Sequence, residues 1–151
     1  MLIIYRLILN LIFLLSPLII IYRLLKKKED IKRFKEKFCF FSQKKSYGNL
    51  IWFHGASVGE IKSIIPTIEK LDRDKKVKKI LITSNTLSSS KIISQYKFKK
   101  TLHQFFPIDT NFLSQKFLNF WNPSIAFFID SEVWPNMFYN LEKKKIPIVL
   151  L

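Results

Sequence analysis

The stretch IWFHGASVGE, Ile51 to Glu60, decides the fold. Its first four residues, with Leu50 ahead of them, make a short apolar run of the kind found in strands buried on both faces. Gly55 and Gly59 then bracket Ala56-Ser57-Val58, as expected where a backbone turns tightly and comes close to a ligand. Beyond Glu60, isoleucines recur at positions 61, 64, 65 and 68, which is one face of a helix with 3.6 residues per turn. The spacing predicts a strand over Leu50–His54, a turn, and a helix over Glu60–Leu71. Strand, turn and helix in that order form the repeating unit of a parallel sheet.

The unit repeats downstream. Lys79–Thr83 reads as a second strand, Ser88–Tyr96 as a helix, Thr101–Phe105 as a third strand and Thr110–Phe120 as a helix. Ser124–Ile129, Val133–Lys144 and Ile146–Leu151 continue the alternation as strand, helix and strand. The fold class is therefore α/β, a doubly wound parallel sheet. Ligands of such sheets bind at the carboxyl ends of the strands. That rule selects four segments: His54–Glu60, Thr83–Ser90, Phe106–Thr110 and Asp130–Pro135.

The first of these segments admits two chemistries. Gly55-Ala56-Ser57-Val58-Gly59 fits the G-x-S-x-G elbow that exposes a nucleophilic serine. The triad needs an acid and a histidine after the serine, and the histidine that follows, His103, falls inside a strand. Ser57 is better placed as a turn residue or a donor to a ligand. Glu60 lies in the first helical turn, where the helix dipole favours its ionised form, and an ionised carboxylate at a strand's carboxyl end can act as a general base. The plain alternative is that Glu60 only complements the dipole.

The 151 residues carry a formal charge of +15 and one cysteine, Cys39. A single cysteine excludes a disulfide framework, and with two histidines it cannot close a zinc site, so no metal and no cofactor are expected. The basic excess is lysine apart from Arg6, Arg23, Arg33 and Arg73, a composition poor in the residue that reads bases bidentately, which argues against nucleic acid as partner. Leu2 to Leu25 is nearly all Leu, Ile, Phe and Tyr. At about 1.5 Å per residue it is long enough to cross a hydrocarbon core of about 30 Å. Lys26-Lys27-Lys28 follow, with no small-residue cleavage site between, so an uncleaved anchor with the rest of the chain on the cytoplasmic side is expected. The chain then divides into a membrane-anchor helix (1–25), a basic linker (26–48) and the wound domain (49–151).

WFHGASVGE at Trp52–Glu60, HQFFPID at His103–Asp109 and IDSEVWPN at Ile129–Asn136, with RFKEKFCFF at Arg33–Phe41, together resemble the Kdo transferases, 3-deoxy-D-manno-octulosonic acid transferases of lipopolysaccharide synthesis. The likeness implies the N-terminal Rossmann-like domain of a GT-B glycosyltransferase, with the C-terminal donor domain absent. It implies an inverting transfer of Kdo from CMP-Kdo to a lipid A precursor at the inner membrane. By position, Glu60 becomes the general base, Gly59 shapes the approach to it, and Ser57, Asp130 and Glu132 join the acceptor site. Asp130 and Val133 depart from the family's E-T-E-L-W-P motif, and capping of the following helix is the competing role for Asp130 and Ser131. Hydroxyls of Thr83–Ser90 are candidates for an acceptor phosphate. Such a half is expected to be inactive alone, and a membrane-anchored, non-catalytic α/β binding module is the alternative.

Overall fold

The computed structural model describes residues 2–43, 48–130 and 133–151. Five strands form one parallel sheet: β1 (Leu50–His54), β2 (Lys79–Ser84), β3 (Thr101–Phe105), β4 (Ile125–Phe128) and β5 (Ile148–Leu150), in the order β3-β2-β1-β4-β5. The helices are α1 (Leu2–Leu25), α2 (Val58–Arg73), α3 (Leu87–Ser94), α4 (Asn111–Trp121) and α5 (Pro135–Lys143). The chain winds outward from β1 to β3, then returns by α4 to β4 on the other side of β1. The strand order therefore reverses between β1 and β4, and a crevice opens at their carboxyl ends.

Alternation along the strands separates two cores. Phe53, Ile80 and Ile82 face Ile61, Ile64, Ile65 and Ile68 of α2 and Ile93 of α3. Trp52, Leu81, Ala126 and Phe128 face Phe117, Leu118 and Trp121 of α4 and Met137 and Leu141 of α5. The α/β sheet wound on both faces is thus present, and the isoleucine stripe of α2 is its buried face.

Several element ends differ from expectation for local reasons. α2 starts two residues earlier, at Val58, because Ser57 is its N-cap, and it continues through Pro66. The carbonyl that loses its partner to Pro66 is that of Lys62, which is exposed to water. β5 begins at Ile148, after Lys145 in the left-handed region (φ 56°) and Pro147. α1 runs unbroken past Pro17, and the Ser16 hydroxyl donates to the Phe13 carbonyl (2.6 Å), the group that the missing Pro17 N–H would have served.

Part of the basic segment after α1, residues 33–41, packs on the domain. A short 3₁₀ helix, Phe34–Phe38, sets Glu36 at 1% exposure against the sheet edge. There Glu36 takes a bidentate pair from Arg33 (2.8 and 2.9 Å) and accepts the Phe105 N–H (2.9 Å). A buried carboxylate is tolerated only with such partners. Cys39, also buried, donates to the Leu113 carbonyl, and burial pushes its thiol up to about 12.

Candidate functional site

The turn after β1 is built by a reciprocal cap. The Ser57 hydroxyl accepts the Glu60 N–H (3.2 Å), while the Glu60 carboxylate accepts the Ala56 N–H (2.7 Å) and the Ser57 N–H (3.2 Å). This capping box satisfies otherwise orphaned donors at the start of α2 and holds the carboxylate in one orientation. A carboxylate offers about four lone-pair sites, so two accepted N–H groups leave room for a ligand hydroxyl. Glu60 is partly exposed.

The two glycines differ in what surrounds them. Among the described residues Gly48 is the glycine with positive φ, so neither Gly55 nor Gly59 turns the chain through the left-handed region. Gly55 serves close packing: a Cβ there would meet Ile61 Cδ1 at 3.1 Å and Glu60 Cβ at 3.3 Å. Gly59 has room around it, since a Cβ there would come no closer than 3.8 Å to Ser57 Oγ, and it lines the cleft beside Glu60.

That cleft, about 470 Å³ in volume, lies at the crevice between β1 and β4. Gly59, Glu60, Ser63 and Thr67 form one wall, and Ile129, Asp130 and Leu151 form the other. Three of the expected site residues, Gly59, Glu60 and Asp130, are therefore brought together. Ser57 stands at the cap, outside the lining, and Glu132, like Ser131, lies outside the described residues. Asp130 adopts φ 60° and is exposed. A non-glycine residue in that region costs on the order of 1–3 kcal/mol and marks a backbone fixed by its surroundings.

Asp130 does not cap α5, because Asp109 does so from the loop after β3. Its carboxylate accepts the Asn136 N–H (3.0 Å), the Met137 N–H (2.8 Å), the Ser114 hydroxyl (3.0 Å) and the Tyr5 hydroxyl (2.8 Å). Burial pushes the Asp109 carboxyl above the usual carboxylate range, while these donors pull it back. The HQFFPID stretch contains Asp109, but its role went unassigned in the sequence because its partners lie 27 and 28 residues downstream and 104 upstream.

Both histidines are hydrogen-bonded within the fold. His54 bonds Thr83 Oγ1 on the neighbouring strand (2.9 Å), not the turn that follows it. His103 sits between Ser84 Oγ (2.9 Å) and Arg33 Nη2 (3.1 Å). Burial and the Arg33 charge push its imidazole down to about 3. Both rings are engaged away from Ser57, whose hydroxyl serves the cap, so the elbow chemistry has no support here. Two of the hydroxyls after β2 are used internally: Thr86 Oγ1 accepts the Ser89 N–H, and Ser89 Oγ reaches the Ala56 carbonyl. Trp52 and Trp121 are core residues. Among the described residues no cluster of three or more His, Cys, Asp or Glu is arranged to hold a metal ion.

The comparisons with known proteins agree with this architecture. The profile of the family described as 3-Deoxy-D-manno-octulosonic-acid transferase (kdotransferase) matches residues 32–151. The chain is 41% identical over 126 residues to a 3-deoxy-D-manno-octulosonic acid transferase of Rickettsia bellii, covering 82% of this chain and 30% of the relative. It is 36% identical over 151 residues to a probable mitochondrial 3-deoxy-D-manno-octulosonic acid transferase of Arabidopsis thaliana, covering 98% and 34%. A third relative, the transferase of Haemophilus influenzae, is 30% identical over 66% of the chain. The chain spans about a third of the length of these first two relatives. With its five-stranded parallel sheet and its match to the family over residues 32–151, the chain belongs to the Kdo transferase family of glycosyltransferases.

Proposed function

We propose that this chain is the acceptor-binding, base-bearing part of an inverting glycosyltransferase that moves Kdo from CMP-Kdo to a lipid A precursor. The observation that carries the proposal is the meeting of Glu60, Gly59 and Asp130 on one open cleft at the strand-order reversal. Glu60, oriented by the Ala56 and Ser57 N–H groups, takes the proton from an acceptor sugar hydroxyl. The oxygen attacks the anomeric carbon of Kdo from the face opposite the nucleotide. The anomeric C–O bond to CMP breaks with its electron pair going to the phosphate, and the configuration inverts. Asp130, on the opposite wall, is assigned to the acceptor, as is Glu132; Ser57 acts by holding the Glu60 carboxylate through its backbone N–H.

A base without a bound donor has little to act on, because orienting two reactants is worth about 7–11 kcal/mol of barrier. The described residues form one wound sheet, which the proposal gives to the acceptor. Membrane attachment is supported by α1, which is long and apolar enough to cross a bilayer, and by the Lys26-Lys27-Lys28 run, which favours the cytoplasmic face of the inner membrane.

The test is an assay with lipid A precursor and CMP-Kdo in detergent, read by mass spectrometry. The 151-residue chain should give no product, and the same chain joined to a donor-binding half of the relatives' kind should give the Kdo-modified lipid. Product from the short chain alone would place the donor site within these residues and refute the division. No product from the joined protein would refute the activity.

A further inference from the structure

α1 touches the domain along its length, not only at the end where the chain leaves it. Near its start, Tyr5 donates to Asp109 (2.8 Å), and Arg6 donates to Asn136 (2.9 Å) and Asn111 (3.3 Å) while its guanidinium lies over the Tyr139 ring (4.9 Å). Midway, the Phe13 and Phe38 rings meet edge to face at 5.9 Å, and Leu9 shares a cavity with Phe106 and Trp134. Further along, Ser16 and Ile20 are 4% and 7% exposed. These positions form a single stripe. The remaining faces carry large apolar side chains in the open, among them Ile4 at 63%, Leu7 at 65%, Leu14 at 74% and Leu18 at 68%.

A helix standing across a bilayer cannot make these contacts. From Leu25 to Tyr5 is 20 residues, about 30 Å at 1.5 Å per residue, the full thickness of the hydrocarbon core. With Lys26 to Lys28 at one surface, Tyr5 and Arg6 would sit at the other, whereas Asp109, Asn111 and Asn136 belong to the same domain as the residues that follow the lysines. A folded domain bearing exposed charges cannot follow Tyr5 through hydrocarbon.

From this geometry we infer that α1 lies in the plane of the membrane interface, latched to the domain by Tyr5 and Arg6, and does not cross. The inference rests on the membrane attachment proposed above. The domain takes the place of the polar face that an interfacial helix ordinarily carries itself, and the open apolar faces enter the headgroup boundary by about 5–10 Å. The occupant is an anionic bilayer surface: Lys26, Lys27 and Lys28, all exposed, continue from the same helix, and each cation near such a surface is worth about 1 kcal/mol. An in-plane α1 brings Asp109 and the amino ends of α4 and α5, all on the carboxyl side of the sheet, to the lipid surface.

The experiment places a short polar epitope tag ahead of Met1 of the full chain and compares protease digestion of intact spheroplasts with that of inverted inner-membrane vesicles. The expected result is membrane-bound chain whose tag and domain are cut together in inverted vesicles and are both protected in spheroplasts. A tag lost from spheroplasts while the domain survives means a crossing helix and overturns the inference, leaving membrane attachment intact. Chain recovered in the soluble fraction, as monomer or as a self-associated form covering the apolar faces, overturns the attachment itself. To guard against an effect of the tag, a brominated-lipid quenching series on the untagged chain carrying Leu14→Trp should show maximal quenching by shallow bromines. Maximal quenching by bromines at the bilayer centre, where a crossing helix would carry position 14, overturns the inference independently.

Discussion

The amino ends of α2 and α5 are both served by a carboxylate, by opposite means. At α2 the cap is local: Ser57 and Glu60, three residues apart, satisfy each other, and the carboxylate remains partly open to the cleft. At α5 the cap comes from Asp109, 27 residues upstream, and that carboxylate is 2% exposed and filled by four donors. A locally made cap leaves a carboxylate free to act on a ligand. A cap made across the fold uses all of its carboxylate to join elements, here α1, α4 and α5.

This contrast predicts how each carboxylate fails. The largest change in stability is expected from Asp109→Ala, which leaves the Asn136 and Met137 N–H groups and the Ser114 and Tyr5 hydroxyls without their acceptor. Hydrogen bonds to a charged group contribute about 1.5–3 kcal/mol each, and they are not additive, so a loss of about 3 kcal/mol in detergent-solubilised denaturant unfolding is expected. A loss under about 1 kcal/mol would mean that Asp109 is not the joint.

A smaller effect between pH 7 and 5, about 2 kcal/mol, comes from His103. In the folded chain its imidazole takes a proton only near pH 3, whereas in the unfolded chain it does so near its ordinary 6.5. Unfolding therefore takes up a proton between those values. Stability from this group is complete above about pH 6.5 and falls as pH drops toward 3, by up to about 1.4 kcal/mol per unit. His103→Gln should flatten that part of the stability curve, measured by unfolding at about pH 7, 6 and 5. The smallest effect is expected from Ser57→Ala, which removes one half of the α2 cap and should cost about 1 kcal/mol, with little change in transfer by the folded protein.

The same contrast explains what the sequence disclosed. β1 was legible to the residue, and the isoleucine stripe of α2 gave its buried face, because both are patterns within a few residues. Glu60 was legible as a first-turn carboxylate for the same reason, although not the capping box that orients it. Asp109 was not, since nothing near it in the chain shows which helix it would cap. The docking of α1 was hidden for a different reason: a helix apolar on all sides carries no periodicity to mark which side meets protein. The buried role of Glu36 was masked by the lysines and arginine around it, which read as a solvated basic segment.

On the proposed function Glu60 supplies chemistry while Asp109 supplies structure, and one paired measurement tests that division. Glu60→Gln and Asp109→Asn, each in the chain joined to a donor-binding half, are compared for unfolding midpoint and for transfer rate per folded molecule. The glutamine oxygen can still accept one of the two backbone N–H groups, as glutamine does in a capping box, but the amide cannot take a proton. Glu60→Gln should therefore keep its midpoint within a few degrees and lose about 10²–10⁴ in rate, while Asp109→Asn should lose stability and keep its rate. A Glu60→Gln protein that transfers Kdo at nearly the parent rate would contradict the account.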